Sequence, residues 1–144
     1  MIKTLDHLGI AVKNLDESIK KWCGVFGLPP PQKEKMEERG VEVAALNIGK
    51  GPSVELIAPA GNDSPVEKFL RKKGEGIHHF CFQVENLDKK IQELKSKGIR
   101  FVQSEPVSGA SGSRIIFIHP ENLNGVLIEL KEKHTSRPVD YSLY

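Results

Sequence analysis

Residues 4–12 alternate. Leu5, His7, Gly9 and Ala11 fall on one side of an extended chain and Leu8, Ile10 and Val12 on the other, a period of two that predicts a strand. The period then lengthens. Leu15, Ile19, Trp22, Cys23 and Phe26 recur at i, i+4, i+7, i+8 and i+11, the apolar stripe of a helix, with Asn14 or Asp16 placed to cap it. Gly27 followed by Pro29-Pro30-Pro31 stops it. Residues 33–39 are charged throughout most of their length and read as a solvated connection. Residues 40–48 and 53–58 read as strands around the turn Gly49-Lys50-Gly51-Pro52. Ser64-Pro65-Val66-Glu67 has the form of a capping box with proline at the first helical position, opening a short helix that ends near Gly74-Glu75-Gly76.

The second half repeats the first. A strand is expected at 77–84, then a helix with Leu87, Ile91 and Leu94 on one face, ended by Gly98, and strands at 99–103, 114–118 and 125–131. His7 and His79 are 72 residues apart (79 − 7), and the same step pairs Val12 with Val84, Asn14-Leu15-Asp16 with Asn86-Leu87-Asp88, and Ile19 with Ile91. Glu55 and Glu129 pair at 74 (129 − 55). Such a period exceeds those of solenoids and suits two fused modules, each βαβββ. The fold class is therefore α+β. We expect a single domain over 1–132, with module one at about 1–60, a linking helix at about 64–74 and module two at about 76–132. Residues 133–144, with Pro138 and no apolar period, read as a loosely held C-terminal tail.

Composition narrows the function classes. The chain has 144 residues, 38% of them apolar and 28% charged, enough for one soluble domain with a sizeable core. A net charge of +2 without a basic run argues against nucleic acid as partner, though a locally basic rim remains compatible with an anionic small molecule. Cys23 and Cys81 lack metal-site or redox spacing and read as reduced thiols. The start passes directly into a strand pattern with no export segment, which points to the cytoplasm, and no run is long enough to span a bilayer.

The repeat carries the chemistry. Matching positions in duplicated modules surround their pseudo-twofold axis, so His7, Glu55, His79 and Glu129 are a candidate ligand set for one divalent first-row ion. Two imidazoles and two carboxylates suit Co²⁺, Zn²⁺, Mn²⁺ or Ni²⁺, and the carboxylates balance its charge. Alternation sends His78 to the face opposite His79, so the parity with His7 selects His79. His119, next to Pro120, reads as a hydrogen-bonding loop residue and Cys81 as small core packing; His134 opens the tail without an assigned role.

With those residues in place, the chain resembles the vicinal oxygen chelate (glyoxalase-like) superfamily and, within it, the methylmalonyl-CoA epimerase family. The resemblance rests on Asp-His-Leu-Gly-Ile-Ala-Val (6–12), Val-Glu-Leu-Ile-Ala-Pro (54–59), Asn-Asp-Ser-Pro (62–65) and Gly-Ile-His-His-Phe (76–80). It is strongest in Ser-Arg-Ile-Ile-Phe-Ile-His-Pro (113–120) and Gly-Val-Leu-Ile-Glu-Leu (125–130), and it reaches about residue 132.

The resemblance implies a curved eight-stranded mixed sheet around one metal ion held by His7, Glu55, His79 and Glu129. It names Co²⁺ first, a CoA thioester as substrate and a homodimer as assembly. The implied reaction interconverts (2R)- and (2S)-methylmalonyl-CoA by α-proton removal and return through a metal-stabilised enolate. Glu129 is then the first candidate base and Glu55 its counterpart, with a one-base route as alternative. Some relatives carry Gln at the position of Glu55 and use a glutamate on the neighbouring strand. Here Val43 falls at that position, and Glu42 is one step away on the other face. Ser113 and Arg114, in the Ser/Gly-rich loop from Ser108, are candidate substrate contacts. Three alternatives share the scaffold: a glyoxalase I-type lyase acting on a hemithioacetal, a metal-free small-molecule-binding module, and an extradiol dioxygenase, which the fourth ligand candidate disfavours.

Overall fold

The computed structural model describes residues 1–61 and 63–133; the tail from His134 onward, including His134 itself, lies outside them. The strands are β1 (Ile2–Ala11), β2 (Lys33–Met36), β3 (Val41–Leu46), β4 (Ser53–Pro59), β5 (Gly76–Val84), β6 (Val107–Ser108), β7 (Arg114–Ile118) and β8 (Ile128–Glu132). The helices are α1 (Leu15–Phe26), α2 (Pro65–Lys73) and α3 (Leu87–Ser96). The strands form one eight-stranded mixed sheet, curled as a half-barrel, in the order β2-β3-β4-β1-β5-β8-β7-β6. Read inward from either edge, each module lays down its strands in the same sequence. The modules meet where β1 runs antiparallel to β5, while β4 and β8 lie parallel to β1 and β5 respectively.

The repeated asparagines cap the two outer helices: Asn14 Oδ1 accepts from Glu17 N–H and Asn86 Oδ1 from Lys89 N–H. Gly27, at φ 65°, closes α1 by donating its N–H to Cys23 O. Each helix buries its stripe on the same face of the sheet, α1 over Ala44, Leu46 and Leu56, α3 over Ile116, Ile128 and Leu130. Leu56 and Ile116 are fully enclosed, each stabilising by roughly 1.5–3 kcal/mol. Ser64 Oγ caps α2 through Val66 N–H, not through the Glu67 amide that a capping box uses. Helix α2 packs on a separate cluster of Ala11, Val41, Val43 and Ile57. None of the three is long and apolar enough to cross a membrane.

Three elements depart from the sequence reading. Lys33–Met36 is an edge strand paired with β3, not a connection, followed by a 3-10 turn at Glu37–Arg39. An edge strand needs no buried face, and its charges block pairing with other chains, so hydropathy does not reveal it. The strand expected at 99–103 is reduced to a bridge between Phe101 and Ile118. There Gln103 Oε1 takes the Phe117 N–H that a ladder partner would have used, and the paired edge is β6. The strand expected from residue 125 begins at Ile128, because Asn124 (φ 58°) and Gly125 (φ 79°) are left-handed and cannot be extended.

Candidate metal centre

The four central strands each place one candidate side chain on the face opposite α1 and α3. His7 lies across from Cys81, which lies across from Glu129; Glu55 lies across from Gly9, which lies across from His79. Each row thus holds one His, one Glu and a small residue between them, and Gly9 and Cys81 are themselves 72 positions apart (81 − 9). The small residue leaves room for an imidazole. A methyl group on Gly9 would overlap the His79 ring. Gly9→Ala is therefore expected to displace His79, costing about 1–3 kcal/mol from overpacking and weakening metal uptake. Urea denaturation and metal titration of the variant check this.

The functional atoms converge. His7 Nε2 and His79 Nε2 are 3.1 Å apart, and Glu129 Oε1 is 3.2 Å from the first and 3.3 Å from the second. Glu55 Oε2 stands 3.6 Å from His7 Nε2, at the edge of the group. His7, His79 and Glu129 are 3%, 2% and 5% exposed. Ligand atoms bonded at about 2.1 Å to one ion lie about 3.0–3.4 Å from one another, so these separations fit. Glu129 Oε1 supplies a further sign. It is fully buried and has no hydrogen-bond partner, although both imidazoles lie within 3.3 Å. A buried carboxylate oxygen without a partner costs free energy unless a cation meets it. His7, His79 and Glu129 therefore form a group able to hold a divalent ion.

The acidic groups dominate the electrostatics of the metal-free group. Burial opposes ionisation of Glu129, but the two imidazoles outweigh it and hold its carboxyl well below the usual range. Burial would also lower His7; Asp6 first, then Glu129 and Glu55, instead carry it up to about 9. The Cys81 thiol is pushed far up, by burial first and the Glu129 charge next, so it stays protonated and packs as a small core residue.

Two residues flank the histidines. Asp6 Oδ2 lies 2.8 Å from His7 Nδ1 and 3.3 Å from Lys131 Nζ. The bond from His7, helped by Lys131 and opposed by burial, holds Asp6 at about 2 against an ordinary 3.8. That contribution to stability is complete above pH 3.8 and is lost as pH falls through about 2. At roughly 1.4 kcal/mol per pH unit it amounts to about 2 kcal/mol. Urea midpoints of metal-free protein between pH 5 and 2 should show this acid slope, and Asp6→Asn should flatten it.

His78 corrects the alternation argument. Its Nδ1 lies 2.9 Å from His79 Nδ1, on the same side as the ligand group, because the β1–β5 ladder is bulged there. His79 pairs with Gly9 and Ile77 with Ile10, leaving His78 as the extra residue. Burial first, then His79 and Arg39, lower its pKa to about 4.

The other expected residues are placed as follows. Ser113 is buried, and its Oγ donates to Ala110 O at 2.8 Å, fixing the loop beside Lys131. Arg114, expected near substrate, is on the helix-covered face, paired with Asp88 (3.0 Å) and Glu132 (3.2 Å). One step along β7 reverses the side chain, and it is Ile115 that shares the face of Lys131. Glu42 likewise points away and meets Lys33 at 3.7 Å. His119 Nδ1 accepts from Glu121 N–H in its turn. Two cavities adjoin the centre. One of about 410 Å³ is lined by His7, Glu55, Val43, Glu34 and Lys131. The other, about 950 Å³, is lined by Arg39, Phe69, His78, Phe117 and His119 and is of ligand size. Phe117 joins it to the centre, meeting His79 edge-on at 5.6 Å with the Arg39 guanidinium 5.4 Å from its ring.

The family described as the Glyoxalase/Bleomycin resistance protein/Dioxygenase superfamily matches residues 6–117. The mitochondrial methylmalonyl-CoA epimerase of Dictyostelium discoideum is 36% identical, over 92% of this chain and 80% of its own. The mitochondrial methylmalonyl-CoA epimerase of Homo sapiens is 37% identical over 89% and 73%. A solved methylmalonyl-CoA epimerase variant from Streptomyces coelicolor, in complex with 2-nitronate-propionyl-CoA, superposes with a TM-score of 0.88 at 35% identity, covering 94% of this chain and 100% of its own.

Proposed function

This chain belongs to the glyoxalase/bleomycin resistance protein/dioxygenase superfamily and, within it, to the methylmalonyl-CoA epimerase family, and on that premise we propose that it interconverts (2R)- and (2S)-methylmalonyl-CoA. The observation that carries the proposal is the meeting of His7, His79 and Glu129, with Glu55 at the edge, beside a ligand-sized cavity.

The substrate's α-hydrogen lies between a carboxylate and a thioester carbonyl, so its removal leaves charge mainly on the thioester oxygen. His7, Glu55, His79 and Glu129 would hold a divalent ion, for which we propose Co²⁺, and when bound it would supply Lewis acidity for that charge. Glu129 takes the proton, and the C–H electron pair passes into the enolate. Glu55, once loosened from the ion and protonated, returns a proton to the opposite face. The two carboxylates suit these roles because they come from different modules and approach the imidazoles from opposite rows. Glu55 is the looser of the two, 3.6 Å from His7 and the more exposed, which favours its exchanging a proton with the substrate. Ser113 serves by holding the loop beside the site. We further propose a homodimer, and the cytoplasm as setting, since both cysteines are free thiols suited to a reducing compartment.

The decisive measurement is solvent-deuterium incorporation at the α-carbon of one methylmalonyl-CoA epimer, with metal-loaded and metal-stripped protein. Exchange that depends on metal is expected. Turnover of a hemithioacetal with no exchange would instead make this a glyoxalase I-type lyase. Protein that retains no metal and takes up neither Co²⁺ nor Zn²⁺ would make it a binding module.

A further inference from the structure

The ladder between β1 and β5 shifts register three times, leaving Lys3, Asp6 and His78 unmatched, and the shifts at Asp6 and His78 each present a partner to a ligand histidine. Leu5 pairs with Phe82 and His7 with Cys81, so Asp6 is the extra residue on β1; His78 is the extra residue on β5. The two are 72 positions apart (78 − 6) and each immediately precedes its histidine. In a regular strand the preceding side chain points to the other face; a bulge re-aims it. The outcome is the same in both modules. Asp6 Oδ2 sits 2.8 Å from His7 Nδ1, and His78 Nδ1 sits 2.9 Å from His79 Nδ1. Both Nε2 atoms face each other and Glu129.

We propose that Asp6 and His78 are positioning residues, which hold each Nδ1–H so that the Nε2 lone pair of His7 and of His79 is aimed at the ion. This rests on the metal reading above. The duplication has kept the geometry and changed the chemistry. Asp6 offers His7 an anionic acceptor, itself tethered by Lys131 and by Lys133 at 3.6 Å. His78 offers His79 a neutral one, and its ring is braced edge-on by Phe69 at 4.9 Å. With His79 donating from Nδ1, His78 must accept at Nδ1, and its own proton lies on Nε2.

The test is Zn²⁺ affinity, by competition with a chromophoric chelator, for the unsubstituted protein, Asp6→Ala, Asp6→Asn, His78→Phe and His78→Asn. Asp6→Ala and His78→Phe remove the acceptor and should weaken Zn²⁺ binding by about 10–100-fold. Asn retains an acceptor oxygen, so Asp6→Asn and His78→Asn should recover part of the loss, which a packing role would not produce. Proton–nitrogen correlation spectra of the zinc-loaded protein should show the His79 Nδ1–H bonded in the unsubstituted chain and in His78→Asn, and lost in His78→Phe. Undiminished affinity in either acceptor-free variant, with unchanged imidazole signals, overturns the proposal. If the unsubstituted chain takes up no Zn²⁺, the metal reading fails first and takes this one with it.

Discussion

Replacing His79 with alanine is expected to remove bound metal and epimerisation together. His79 Nε2 is one corner of the group, 3.1 Å from His7 Nε2 and 3.3 Å from Glu129 Oε1, and its ring lies in the space left by the absent side chain of Gly9. Among the described residues no neighbour replaces it: His78 stands behind it on the Nδ1 side, and Cys81 holds its proton. Lewis-acid stabilisation of an enolate amounts to several kcal/mol, so losing it should slow turnover by roughly 10³-fold or more. Elemental analysis alongside deuterium exchange is the check. A variant that keeps a full complement of metal and its rate would show that the centre lies elsewhere.

Glu129→Gln separates ligation from proton transfer. Gln keeps the shape and an oxygen that faces the imidazoles, but it has neither the charge nor the basicity. Metal should be weakened yet measurable, while activity falls by about 10²–10⁴-fold, the usual contribution of a positioned base. With two bases, Glu129→Gln should stop proton loss from one epimer and Glu55→Gln from the other. With one base and a rotating substrate, Glu129→Gln stops both and Glu55→Gln neither. If the activity of Glu129→Gln merely follows its metal content, Glu129 is a ligand and not a base.

These expectations draw on features that were unequally legible. The modules were plain because their signals are local or translational. Leu15 to Phe26 and Leu87 to Leu94 keep a helical period, and Asn14 and Asn86 cap the two helices in the same way. The convergence of His7, His79 and Glu129 was also legible, since equal positions in a duplicated unit must lie around the axis that relates the copies. Edge strand β2 was not, because it pairs on one side only and its side chains are largely exposed, so nothing requires them to be apolar. The surroundings of Arg114 were hidden for a related reason. A basic residue in a Ser/Gly-rich segment resembles a ligand contact until Asp88 and Glu132, distant in sequence, arrive beside it.

His78 marks the boundary most clearly. Strict alternation excludes it from the site, and alternation is a property of a single strand. A bulge belongs to two strands at once. It depends on how β1 and β5 share their ladder, and no pattern within residues 76–84 announces it. The chain's order alone thus indicated the repeated strand-helix pattern and the convergence of His7, His79 and Glu129. The paired strands, through register and bulge, decided which neighbours grip those side chains, because that choice is made between segments 72 residues apart.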